Sequence, residues 1–154
     1  LPSPKDVPTY DFKPEMSVYK VTDTLVAALE AAKYDLVVCN FANLDMVGHT
    51  GVIPAAVKAV EAVDTCLGRV METVAKAGGT LLVTADHGNA EDMLDENGNA
   101  KTAHSLNPVP FVYVGPGDFR VRDGRLADVA PTILHIMNIP KPAQMTGESL
   151  LVPA

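Results

Sequence analysis

Five side chains in this sequence have the chemistry of metal ligands: Asp45, His49, Asp86, His87 and His104. Asp45 and His49 are spaced i, i+4 in Ala42 to Gly51, which reads as a loop; if the segment after Asp45 coils into one helical turn, both point the same way. A carboxylate and an imidazole placed like that suit a transition ion such as manganese or zinc. Gly48, beside His49, leaves room for close backbone approach. Asp86 and His87 are adjacent and follow the apolar run Leu81-Leu82-Val83-Thr84, which reads as a buried strand; Gly88 then permits a sharp turn. In open α/β sheets ligands bind just beyond the carboxyl ends of strands, which makes this pair a stronger signal than an isolated D-x-x-x-H. His104, in KTAHSLNPVPF, sits on a loop leading into the next apolar run. Such a mixed set is too large for one tetrahedral ion and too small for two complete sites. A closely spaced pair of divalent ions accounts for it, and such pairs serve phosphoryl transfer.

The elements that must hold these residues follow from periodicity. Leu1 to Glu15 is proline-rich and reads as an extended connector. Val18, Val21, Leu25 and Leu29 recur at helical spacing, predicting a helix that ends near Lys33. Asp35 to Phe41, DLVVCNF, reads as a strand covered on both faces. Pro54 opens a long helix that stops at Gly78-Gly79, with Val57, Val60, Leu67, Met71 and Val74 as its apolar stripe. Asp64 falls on that stripe, which predicts a carboxylate hydrogen-bonded at the rim of the core, with a supporting role behind the metal ligands as the alternative. Strand, helix and strand from Asp35 to Ala85 then form a βαβ unit with parallel strands. Val109 to Val114 is a further strand, Gly115 to Gly124 a surface excursion, and Leu126 to Met137 the last helix; Pro140 to Ala154 is a tail that docks on the rest. The fold class expected is α/β, a mostly parallel sheet with helices on both faces, its sheet incomplete in this chain.

Two other residues invite a chemical reading and are assigned none. His135 lies opposite the apolar stripe of its helix and reads as solvated. Ser105, beside His104, lacks the strand-turn-helix elbow of a nucleophilic serine and reads as structural.

A net charge of −7 in 154 residues argues against a nucleic-acid surface. It also repels a phosphorylated substrate unless cations or basic groups from elsewhere reverse the field locally. No apolar run is long enough to span a membrane and no signal peptide is visible. Cys39, in the expected core strand, and Cys66, on the long helix, read as reduced structural thiols of a cytoplasmic protein. The chain begins with Leu1, which suggests a fragment.

The stretches SPKDVPTYDFKPEMS, NLDMVGHTG, AVEAVD, TADHGNAE, KTAHSLNPVP, LADVAPTIL and MTGESLL, in that order, resemble the cofactor-independent (bisphosphoglycerate-independent) phosphoglycerate mutases of the alkaline-phosphatase superfamily. They run from near Leu1 to Leu151, so the resemblance covers essentially the whole chain. It implies that residues 1–154 are the C-terminal segment of a phosphatase-like domain, with residues 1–15 connecting it to an inserted domain that lies outside this chain. It further implies two divalent ions, manganese first, with cobalt or zinc also accepted by these ligands. Asp45, His49 and His104 would hold one; Asp86 and His87 would hold part of the other, completed by an Asp and a nucleophilic Ser from an N-terminal portion of the same protein. The implied reaction interconverts 3-phosphoglycerate and 2-phosphoglycerate in glycolysis through a phosphoserine, and this chain alone is expected to be inactive. Rival readings are another phosphomutase or phosphatase of the superfamily, or a non-catalytic metal-binding module. Two departures from the family pattern are Leu44, where a Pro usually precedes the ligand Asp, and Asp6, which looks inserted in the connector.

Overall fold

The computed structural model describes residues 1–154. Leu1 to Ser17 is irregular apart from a 3-10 turn at Tyr10–Phe12. Helix α1 spans Val18–Glu30, α2 is the short Asn43–Gly48, and α3 runs Ile53–Lys76. Strand β1 is Leu81–Thr84, β2 Phe111–Val114 and β3 Phe119–Val121. A 3-10 turn at Leu126–Asp128 leads into α4, Val129–Ile136, and β4 is Leu151–Pro153.

The core lies where the helices meet. Val47 of α2 and Ala55, Ala56 and Ala59 of α3 pack with Met16 and Met93. Val18 of α1 packs with Ala62 and Cys66 of α3, and Phe41 covers them. The contact face of α3 is therefore mostly alanine and cysteine, small side chains that let the helices approach closely. The stripe expected from the larger residues holds only in part: Val74 is buried and Leu67 half-buried, but Val57 is 51% exposed, Val60 47% and Met71 39%. Asp64 also lies exposed, hydrogen-bonded to no ligand, so neither role predicted for it is filled.

Both strand pairings within this chain are antiparallel, so its own strands do not form the expected mostly parallel sheet with helices on both faces. β1 pairs with β2 in register Leu81↔Val114 to Thr84↔Phe111. β3 pairs with β4, Phe119↔Pro153 to Val121↔Leu151, so the tail contributes a strand where only docking was expected. The βαβ unit does not form, because Asp35 to Asn40 is not a strand; it makes no ladder hydrogen bond. A parallel strand needs a neighbour about 4.8 Å away to take its backbone groups, and β1 has β2 as its sole partner. Leu36, Val37 and Val38 are consequently exposed, and so is Cys39, against the expectation of a core thiol. Cys66 is buried as expected.

The C-terminal quarter is closed by polar contacts. The buried Asp128 carboxylate accepts from the backbone N–H groups of Arg125 at 3.0 Å and Glu148 at 2.8 Å. The Thr132 hydroxyl accepts from Leu150 N–H at 2.8 Å while donating to the Asp128 carbonyl at 2.7 Å. These bonds satisfy backbone groups of the 3-10 turn and the tail.

Candidate metal centre

Three segments converge on one cluster. The first is α2, whose start is anchored by buried Asn43, donating through Nδ2 to the Pro14 carbonyl at 2.8 Å. Ala42 to Gly51, read from sequence as a loop, holds α2, and this helix supplies the turn that aligns Asp45 with His49: His49 N–H donates to the Asp45 carbonyl at 3.1 Å. The second segment is the turn after β1, carrying Asp86, His87 and Gly88. The third is the loop bearing His104, stitched to the second by Ser105 N–H donating to the Gly88 carbonyl at 2.8 Å.

Asp45 Oδ1 is the hub. It lies 3.2 Å from His49 Nε2, 3.1 Å from His104 Nε2 and 3.9 Å from His87 Nε2. His49 Nε2 and His104 Nε2 are themselves 3.1 Å apart. Ligands about 2.1 Å from a tetrahedral ion stand about 3.4 Å from one another, so the Asp45–His49–His104 triangle is close to the size of a metal's donor face. His87 is stacked on His104 with ring centroids 3.7 Å apart, and Asp45, His87 and His104 also offer donor atoms within 4.8 Å of one another. Asp86 is different. Its side chain is 82% exposed and its Oδ1 is 3.6 Å from His87 Nε2, which puts it on the rim facing outward.

The donor set fits a metal by its tautomers as well as its distances. His49 Nδ1 faces the Thr102 carbonyl at 2.5 Å. A carbonyl only accepts, so Nδ1 carries the proton and Nε2 turns its lone pair to Asp45 and His104. His87 makes the same kind of contact more loosely, Nδ1 to its neighbour's carbonyl, Gly88 O, at 3.3 Å. Where the His104 Nε2 lone pair is also free, the two imidazoles and the carboxylate repel unless a cation stands between them.

Sequence reasoning missed the residues that hold these segments together. Glu91 accepts from the Asn89 backbone N–H at 2.7 Å, from the Ser105 hydroxyl, and from Asn107 Nδ2 at 3.0 Å. The Ser105 hydroxyl, then the backbone and Asn107 donors, hold the Glu91 carboxyl down to about 2. Ser105 is thus a clamp between loops, in keeping with its structural reading. Asn89, 4% exposed, donates through Nδ2 to Asp45 Oδ1 at 3.0 Å and to the Asp45 carbonyl at 3.2 Å. The only signal for either was a run of polar residues directly behind the ligand pair. His135 stands apart from the cluster, exposed, with Nδ1 2.7 Å from the Ser149 hydroxyl.

Residues 1–141 match the metalloenzyme superfamily. The 2,3-bisphosphoglycerate-independent phosphoglycerate mutase 2 of Methanosarcina barkeri is 56% identical over 154 residues, covering 99% of this chain and 29% of that protein. The enzyme of the same name from Pseudomonas fluorescens is 59% identical over 99% of this chain and 30% of its own length. Among solved structures, a Leishmania mexicana phosphoglycerate mutase at low cobalt concentration superposes with a TM-score of 0.90 at 33% identity, over all of this chain and 31% of that one. The chain spans about 30% of the length of these curated relatives.

Proposed function

Because the chain belongs to the metalloenzyme superfamily, we propose that it is the metal-holding segment of a cofactor-independent phosphoglycerate mutase. The observation that carries this reading is the convergence of Asp45, His49 and His104 on one point, with His87 stacked beside them. The relatives' names supply the substrate class, phosphoglycerate; the reaction proposed interconverts 3-phosphoglycerate and 2-phosphoglycerate as a step of glycolysis, with the cytoplasm as the proposed compartment.

Asp45, His49 and His104 would hold one divalent ion, and Asp86 with His87 would hold part of a second, manganese in first place with cobalt or zinc as the other candidates. Bound there, the ions supply positive charge that offsets the negative phosphoryl oxygens and lowers the barrier to their displacement. This chain's own residues position the donors: Thr102 fixes the His49 tautomer, and the Glu91–Ser105 clamp keeps the His87 and His104 loops together. The serine that takes the phosphoryl group, and the basic groups that grip the substrate, would come from the portion of the relatives' length lying outside these residues. That division of labour suits a segment with a net charge of −7.

The test compares this 154-residue chain with the whole gene product, each supplied with manganese and 3-phosphoglycerate. The whole product is expected to form 2-phosphoglycerate and the 154-residue chain to form none; a whole product without mutase turnover would end this reading.

A further inference from the structure

We propose that Asn89 is a positioning residue for the metal centre, its side-chain amide aiming the Asp45 carboxylate so that Oδ1 faces the histidine nitrogens. The inference rests on the metal reading above. Asp45 is the one residue whose oxygen approaches three histidines, and its side chain is 34% exposed. A carboxylate that open rotates among several orientations, and only some present an oxygen to the site. The Asn89 amide removes that freedom by donating to the same Oδ1 at 3.0 Å and to the Asp45 backbone carbonyl at 3.2 Å. A donor on an ionised acceptor gives a stronger bond than a neutral pair and leaves Oδ1 its second lone pair for a cation.

Two independent features show that the amide is held in this orientation at a cost. The Asn89 Oδ1 atom is buried with no hydrogen-bond partner. Leaving such an atom unpaired costs about 1–3 kcal/mol, and turning the amide over would set that oxygen against the Asp45 carboxylate. The second feature is Gly48. A Cβ at Gly48 would lie 2.4 Å from Asn89 Oδ1, so the space beside His49 exists to admit this amide. The backbone of Asn89 is fixed as well, by its N–H donating to Glu91 Oε2 at 2.7 Å. Asn89 therefore links the turn bearing Asp86 and His87 to the helix bearing Asp45 and His49.

The test uses the whole gene product with Asn89→Leu, which keeps similar bulk and loses the donor, and with Gly48→Ala, which keeps the donor and crowds it off Asp45. Manganese affinity is read by calorimetry and ligand geometry by the visible spectrum of the cobalt-loaded protein. Both variants are expected to lose about 10- to 100-fold in affinity and to change the cobalt spectrum, and melting in chelator reads any loss of stability separately from the loss of metal. Affinity within about twofold of the parent, or a weaker site with an unaltered cobalt spectrum, overturns the proposal. Should Asn89→Leu fail to fold, Gly48→Ala, which removes no native side chain, decides. A parent protein that takes up no manganese removes the metal reading itself, an outcome distinct from a parent that binds and variants that bind equally well.

Discussion

His49 and His104 hold their Nε2 atoms 3.1 Å apart although they are separated by 55 positions in sequence. Two imidazoles do not seek each other in this way for their own sake. If one nitrogen donates to the other, the pair is a modest hydrogen bond at a partly exposed site; with both lone pairs free, they converge on a cation. Manganese titration followed by calorimetry should therefore show Asp45→Ala and His104→Ala each weakening binding by at least about tenfold, with His135→Ala unchanged. Equal affinities in all three variants would count against the ligand assignment.

Glu91 ties acid sensitivity to the clamp between loops. Its carboxyl is ordinarily near 4.5 and is held down to about 2 by its hydrogen bonds. The folded chain thus resists protonating Glu91 more than the unfolded chain does. Its contribution to stability is complete above the ordinary value and disappears as the pH falls from there through about 2. Melting temperatures of the parent and Glu91→Gln, measured against pH, should differ most near neutrality and converge under acid. A constant gap across that range would refute the link.

Gly88 occupies the point where the two loops touch. A Cβ there would lie 2.2 Å from both Glu91 Oε1 and the Ser105 hydroxyl oxygen. Neither can retreat without breaking the bond they share, so Gly88→Ala should cost about 1–3 kcal/mol of stability and loosen the His87–His104 stack. Urea denaturation in the presence of chelator measures the first effect, free of any change in metal binding.

The two thiols should react very differently. Cys39 is exposed and Cys66 is buried against α1. Partial burial pushes the Cys39 thiol up from its usual value, so its alkylation should be slow at neutral pH and quicken as the pH rises. Mass spectrometry of the native chain after brief iodoacetamide treatment should find the label on Cys39 and not on Cys66.

Much of the site was legible in the residues, because ligand chemistry is local. The i, i+4 spacing of Asp45 and His49 required only one turn of helix, and Gly88 announced the turn after β1. The limits of α3 followed from Pro54 and the Gly78-Gly79 pair. Its buried face did not, because Val57, Val60 and Met71 outrank Ala55, Ala59 and Ala62 on any hydrophobic scale, whereas close helix packing favours the smaller set. Asp35 to Phe41 reads as a strand in isolation, yet a strand exists only with a partner, and sequence periodicity does not say whether one is present. The β3–β4 pairing joins segments about thirty residues apart through a polar stretch with weak alternation. Asn89 and Glu91 were invisible for a related reason: their roles depend on which loops meet.

The bare run from Leu36 to Asn40 has the character of an unpaired sheet edge. Its amides and carbonyls face water, its valines are greasy, and no lysine or proline interrupts it as a deterrent. As protein concentration climbs, docking against any extended polypeptide would replace hydration with main-chain bonds and apolar cover together. Solubility at high concentration is therefore expected to respond to substitutions in this uncovered ribbon.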